Sequence, residues 1–298
     1  MGFEQCHPAI NLIYFISVIY GMISFEHPVF LAISFLSAII YSIKRNGKKT
    51  LVFNLALLLF IIIFALYYSS YTHFGITILK KNFIGNNITM ESLIYGVVLG
   101  VIVAGVMIWF SCIYSVFSSD KVVYLFGKIS PKLSLYLSIL LRLIPRIKLE
   151  AKRLNMAQCG IGRGVSQGNV FMRLKNCIRI FSILITWTIE AMTVASESMQ
   201  SRGSSLRGRK AFSIYRFDNR DRMYVIVMSV FLTITLMGVL LGQMESIYDP
   251  RIIIPSVTAM SCLFYFSYAA LCLMPLFLEL WTEYTFKKSR RLVSYNIE

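Results

Sequence analysis

Six stretches of the chain carry no formal charge: residues 8–25, 28–43, 51–79, 92–119, 223–244 and 252–278. A helix needs about 20 apolar residues to cross the hydrocarbon of a bilayer, within a range of about 17–25. The last four stretches exceed that requirement. The first two are short and are separated only by Glu26 and His27, so they read as a tight helical hairpin or a tilted pair. In the fourth stretch Gly96, Gly100 and Ala104 recur every four residues. Such a stripe lets helix backbones approach closely, and it is expected to pack within this chain rather than form a homodimer.

Between the fourth and fifth stretches the pattern changes. Residues 120–222 hold 19 Lys and Arg against six acids, interrupted by two short apolar runs, 133–141 and 180–189. Both runs are too short to span and suit amphipathic helices at the interface or beneath a bundle. Making residues 178–194 a seventh span, with Glu190 inside it, would carry Arg202, Arg207, Arg209, Lys210, Arg216, Arg220 and Arg222 to the far side, against the positive-inside rule. With six spans, 27 of the 30 Lys and Arg fall on one side, and only Lys80, Lys81 and Arg251 on the other. Both termini are then expected to be cytoplasmic. The expected architecture is an all-α membrane protein of about six transmembrane helices with a platform of amphipathic helices. It divides into a four-span part (1–119), the central block (120–222), and a two-span part with a basic tail (223–298).

Within the block, Ser130-Pro131 marks a helix start, and Pro145 predicts a break near residues 144–146. A third helix is expected from about Val170 to Met199. It should stop at Ser201-Arg202-Gly203, where glycine can end a helix and arginine suits the negative end of its dipole.

Composition agrees with the membrane class. Of the 298 residues 57% are hydrophobic and only 15% charged, with a mean hydropathy of +0.67. A soluble domain carries roughly 25% charged residues, so lipid must cover the surplus of apolar surface. The net charge of +16 is accounted for by topology, and nucleic acid is not expected as a partner. Cys6, Cys112, Cys159, Cys177, Cys262 and Cys272 are scattered without a C-x-x-C pair, and His7, His27 and His73 are far apart, so no metal site is expected. The first eight residues carry only Glu4 as a charge, so the first apolar segment is expected to stay in the mature protein. Metalloprotease, kinase and phosphate-loop motifs are missing, and the one G-x-S-x-G match, Gly164-Val165-Ser166-Gln167-Gly168, follows no expected strand and so does not read as a serine-hydrolase elbow. Glu190 and Glu197 would share a helix face, more in the manner of a solvated stripe than of an acid–base pair. None of the six stretches holds an internal Asp, Glu, Lys or Arg, unlike a pump with its own polar path.

The central block carries a resemblance. Ser138-Ile-Leu-Leu-Arg142-Leu-Ile-Pro145, Glu150-Ala-Lys-Arg-Leu, Ala157-Gln158 and Ala195-Ser-Glu197-Ser-Met-Gln-Ser201-Arg202-Gly203 together resemble the T component of energy-coupling factor (ECF) transporters, the EcfT/CbiQ family of bacterial importers. Thr89-Met-Glu91-Ser-Leu, Tyr95-Gly96, Arg207-Gly-Arg209 and Asp221 are in keeping. The likeness covers residues 89–222. One departure stands in the first signature, Ala157-Gln158-Cys159-Gly160-Ile161-Gly162, which has isoleucine where the family has arginine. Arg163 follows two residues later, about 200° further round a helix, so it can serve only if the helix has already ended.

The resemblance implies a non-catalytic coupling subunit for vitamin or metal-ion uptake in a bacterial cytoplasmic membrane. Two ABC-type ATPases would bind ATP and dock at Gly162, Arg163 and Gly164 and at Ser201, Arg202 and Gly203, supported by Arg142, Pro145, Ala157, Gln158 and Glu197. A separate S component would bind the substrate. The chain itself would hold no cofactor. The alternatives are a conventional ABC permease, an intramembrane lipid-processing enzyme and a scaffold on anionic lipid.

Overall fold

The computed structural model describes residues 2–47, 49–72, 74–81, 87–203 and 215–295. In chain order, a 3-10 turn (Phe3–Gln5) is followed by α1 (Pro8–Ser24), α2 (Pro28–Asn46) and α3 (Lys49–Tyr71). Then come the strands β1 (Ile78–Lys81) and β2 (Asn87–Thr89), and α4 (Met90–Val116), α5 (Ser119–Ile129), α6 (Pro131–Gly160), α7 (Val170–Ser201), α8 (Asn219–Leu240) and α9 (Ala259–Tyr295). Among the described residues, six helices are long and apolar enough to cross a membrane: α2, α3, α4, α7, α8 and α9. The chain is an all-α multi-pass membrane protein with one small hairpin. The six differ from the expected six by one exchange, since α7 meets the criterion and α1, with 17 residues, is the shorter apolar helix.

The chain divides into two compact units, Met1–Ser118 with Tyr215–Glu298, and Ser119–Ile214. In the first unit, α2 and α4 are central. Trp109 of α4 is fully buried against Tyr14, Phe15 and Tyr41, and its indole N–H donates to Ser34 Oγ at 3.3 Å. Tyr14 of α1 donates to the Cys272 carbonyl of α9 at 2.9 Å. These two polar side chains thus make bonds between helices. The small-residue stripe of α4 faces α3: a Cβ on Gly96 would lie 3.0 Å from the Ala65 backbone, and one on Gly100 3.3 Å from Ile61. The outer side of α3 presents Val52, Leu55, Leu59, Ile62 and Leu66, each more than half exposed, which is a lipid-facing surface.

A polar girdle ties one end of this unit. Arg45 at the end of α2 pairs with Glu4 and donates to Ser115 Oγ at 3.2 Å, while Lys44 pairs with Glu283 at 2.6 Å. The histidines cap helices. His7 and His27 each precede a proline at the first helical position, and each accepts through Nδ1 from the N–H two residues on, Ala9 and Val29, at 3.3 Å. His73 lies outside the described residues.

Three sequence boundaries move. The apolar stretch 51–79 is not one helix, because α3 stops at Tyr71 and the Glu91 carboxylate holds the following chain extended, accepting from Thr77 Oγ1 at 2.7 Å. Residues 252–258 are not helical. Pro255 within them lacks an amide donor, and Ile253 bridges to Ile247. Conversely, α8 begins at Asn219, ahead of its uncharged run, because Asp218 and Asp221 form a capping box.

The second unit contains α5, α6 and α7. Its small core is Leu154 of α6 with Ile180 and Leu184 of α7, flanked by Ile147, Ala151 and Ile183. The predicted break at Pro145 does not occur, and α6 runs unbroken from Pro131 to Gly160. Proline removes a single intrahelical donor, and Pro145 lies on the exposed side of α6, away from that core. Ser130 occupies the N-cap of α6 without a side-chain capping bond.

Candidate functional site

The residues singled out by sequence lie on α6, α7 and their connection. The end of α6 is a complete Schellman cap. Gly162 takes the left-handed conformation, φ +76°, its N–H donates to the Cys159 carbonyl at 3.1 Å, and the Arg163 N–H donates to the Gln158 carbonyl at 2.9 Å. Arg163 therefore stands just past the helix end, the condition under which it could serve. Gln158 acts here through its backbone carbonyl.

The loop beyond is built rather than loose. Asn155 Oδ1 accepts from Val165 N–H at 3.0 Å, and Gln167 Oε1 accepts from Gly164 N–H at 3.0 Å. Gln167 Nε2 donates to the Cys159 carbonyl at 3.2 Å. The buried Asn176 of α7 donates to the Gly164 carbonyl at 3.1 Å. Gly164 is itself buried, and a Cβ there would come within 2.1 Å of Cys159 Sγ. Asn155, Gln167 and Asn176 were not among the expected site residues. One signal was available: Asn176 lies four residues before Ile180 and eight before Leu184, continuing the buried stripe of α7 with a polar side chain.

The end of α7 repeats the cap in part. Gly203 has φ +76° and donates from its N–H to the Gln200 carbonyl at 2.9 Å. Arg202 is the C-cap residue and Ser201 the last helical one, with Ser201 Oγ donating to the Ser198 carbonyl at 2.9 Å. Arg163 and Arg202 are both exposed, and neither enters an ion pair among the described residues. The loop at Gly164 rests on Asn176, and the 26 residues from Asn176 to Arg202 correspond to about 39 Å of helix. The two arginine tips are thus far apart at opposite ends of α7.

The expected supporting residues divide. Ala157 and Gln158 are in the last turn of α6, at the tip. Arg142 and Pro145 lie 18 and 15 residues before Gly160, about 27 and 22 Å back along the helix. Glu197, exposed, lies about one turn before Ser201, and among the described residues it shares no partner with Glu190. A cleft of about 260 Å³ separates the two helices beside Arg146, Glu150, Leu184 and Trp187. Arg207, Arg209 and Lys210 lie outside the described residues.

The rest of α7 is apolar toward the outside. Phe171, Leu174, Ile178, Phe181, Ile185 and Ile189 recur at three- and four-residue spacing and are all exposed. Ile178 is turned about 200° from the buried Ile180, so this stripe faces away from α6. No protein-family model matches this sequence, and a search among curated proteins finds no significant match.

Proposed function

We propose that the chain is the membrane-embedded coupling subunit of an ATP-driven importer, similar to the T component of ECF transporters. The observation that carries the reading is the pair of exposed arginines at glycine-capped helix ends, neither in an ion pair among the described residues, placed at opposite ends of α7. Each arginine projects from the negative end of a helix and offers a planar, permanently charged fork to a carboxylate. Two such tips suit two docking grooves on two ABC-type ATPases. Closure of the ATPases moves the tips, and α6 and α7, packed through Leu154, Ile180 and Leu184, carry that movement toward the membrane as a lever. The outward stripe of α7 supplies an apolar surface over which a substrate-binding S component can move without breaking many polar bonds. On this reading the membrane is the bacterial cytoplasmic membrane, the tips and both termini face the cytoplasm, ATP is bound by the partners, and the chain is not itself an enzyme.

The test is co-expression with the ABC-type ATPases of its own genome and purification in detergent. Wild type should retain two ATPase subunits. Arg202→Ala should weaken retention, since truncating one partner of a buried charge pair costs about 2–5 kcal/mol. A wild-type chain that retains no ATPase from any candidate pair ends the proposal.

A further inference from the structure

Beyond the small core of the second unit, α6 and α7 part, and the space between them is lined by both apolar and charged side chains. The first hollow, about 260 Å³, continues from Leu154, Ile180 and Leu184 along the pair and has Leu143, Ile147 and Leu184 in its walls. A second, about 550 Å³, adjoins it and shares Arg146 and Trp187. Arg146 is exposed and enters no ion pair among the described residues. Glu190 lines the second hollow, three residues from Trp187 and so about 60° round α7. It too is exposed and in no ion pair among the described residues. Glu150, in the first hollow, is already held by Arg153 at 3.2 Å. Trp187 is 51% exposed.

An occupant has to satisfy apolar walls, one cation and one carboxylate together. Water answers the charges and leaves the walls wet. The setting comes from α7, whose apolar window is only 6% buried within the protein. Round its axis the cleft face lies between the exposed aliphatic stripe on one side and the arc holding Lys175, Arg179 and Glu190 on the other. A helix at the boundary of acyl chains and headgroups has that arrangement, and tryptophan collects at the same depth. We propose that the α6–α7 cleft binds a zwitterionic aminophospholipid of the phosphatidylethanolamine type. Its acyl chain lies along Leu143, Ile147 and Leu184, its phosphate meets the Arg146 guanidinium, and its primary ammonium donates to the Glu190 carboxylate. Arginine recognises phosphate through a planar fork of donors. A primary ammonium has three N–H donors for a carboxylate, whereas the quaternary ammonium of phosphatidylcholine has none. Phosphatidylglycerol brings the phosphate without a cation, and its negative charge faces Glu150 and Glu190. The order of preference is therefore ethanolamine first and glycerol last.

Brominated acyl chains quench tryptophan on contact, so the site can be read in the full chain purified in dodecyl maltoside. The Trp187 signal is the difference between wild type and Trp187→Phe, in which Trp109 and Trp281 remain. Brominated phosphatidylethanolamine, phosphatidylcholine or phosphatidylglycerol is added stepwise. Half-maximal quenching of Trp187 should need up to about fivefold less of the ethanolamine lipid than of either other, the range of an exposed ion pair. Glu190→Gln should erase the preference for ethanolamine over choline, and Arg146→Gln should weaken quenching by both. Both side chains are exposed, so the melting temperature of each variant should stay at that of wild type. Equal quenching by the three headgroups would identify ordinary surrounding lipid, and no quenching by any would identify a cleft closed to lipid. Either result overturns the proposal, as does a preference for phosphatidylglycerol or an ethanolamine preference that survives Glu190→Gln. None of these outcomes bears on the retention of ATPase subunits, which tests the coupling reading separately.

Discussion

Gly164→Ala is the sharpest probe of the α6 tip. A Cβ on Gly164 would stand 2.1 Å from Cys159 Sγ and 3.2 Å from its Cα. Non-bonded atoms of this size settle at about 3.5–4.0 Å, so the thiol must turn away. It then loses its contact with Asn155 Oδ1, 3.8 Å away, the same oxygen that accepts from Val165 N–H at 3.0 Å. Overpacking of this kind costs about 1–3 kcal/mol. Cys159→Ala removes Sγ and leaves the backbone contact, so the double variant should recover most of the loss. Gly160→Ala is the matched control. It is helical with nothing within 4 Å of its Cβ, and it should be neutral or stabilising by up to about 1 kcal/mol. Hydrogen exchange of the detergent-solubilised chain reads the effect at the Val165 and Gln167 amides. There, a loss of 1–3 kcal/mol speeds exchange by about 5- to 150-fold. Wild-type protection in Gly164→Ala, or penalties of Gly164→Ala and Cys159→Ala that simply add, would refute the packing and with it the fixed position of Arg163.

Two further outcomes are expected in the membrane unit. His27 is 1% exposed, with Nδ1 accepting from Val29 N–H and Nε2 facing Tyr265 Oη at 3.3 Å, and burial lowers its pKa. The unfolded chain therefore binds this proton first, so stability should be unaffected above about pH 6.5 and fall below it, down to the folded-state pKa. His27→Asn keeps a capping acceptor without titrating, and the difference in melting temperature between it and wild type should depend on pH between 7.5 and 5 (a constant difference would contradict the assignment). Gly96→Val would drive a side chain into the Ala65 backbone, 3.0 Å from the Cβ position. It should cost about 1–3 kcal/mol, seen as a lower melting temperature in detergent, and a value equal to wild type would count against the close α3–α4 approach.

The membrane helices were legible where charge-free runs coincide with what lipid demands, as in α2, α4 and the core of α8. The end of α3 was not, because the apolar pattern continues to Leu79 while the cause of the stop is distant in sequence. Glu91, at the head of α4, holds Thr77 by both its backbone N–H and its hydroxyl. Pro145 misled for the opposite reason, since local chemistry predicts a break that one exposed residue is too weak to impose on a 30-residue helix packed elsewhere. At the α6 tip the sequence left open whether the helix ends before Arg163, although three glycines stand within five residues there. Only the cap bonds decide that Gly162 is the left-handed one and that Gly164 is the buried one. The arginines could be named from sequence. Of the supporting amides only Asn176 left a signal, its place on the buried stripe of α7; Asn155 and Gln167 left none, because a polar side chain shows no sign of its partner.

The helix α7 shows why mean hydropathy and charge spacing give different answers. Its 32 residues measure about 48 Å and its average is apolar enough for a span, yet the uncharged run between Arg179 and Glu190 is only residues 180–189, about 15 Å. That is half of the ~30 Å hydrocarbon thickness, so a spanning α7 would draw one or both flanking charges into lipid. Around the helix axis the charges of α7 cluster, apart from Arg173 in its first turn. Lys175, Arg179, Glu190 and Glu197 fall within about a 60° arc, the buried Asn176, Ile180 and Leu184 occupy a second face, and the exposed stripe from Phe171 to Ile189 a third. A lipid-crossing helix has no use for charges of one arc at both ends of its apolar run. The proposed lever would: one face joins it to α6, one is free for an apolar partner and one carries charge, with Arg202 at the end on which the proposed ATPase would act.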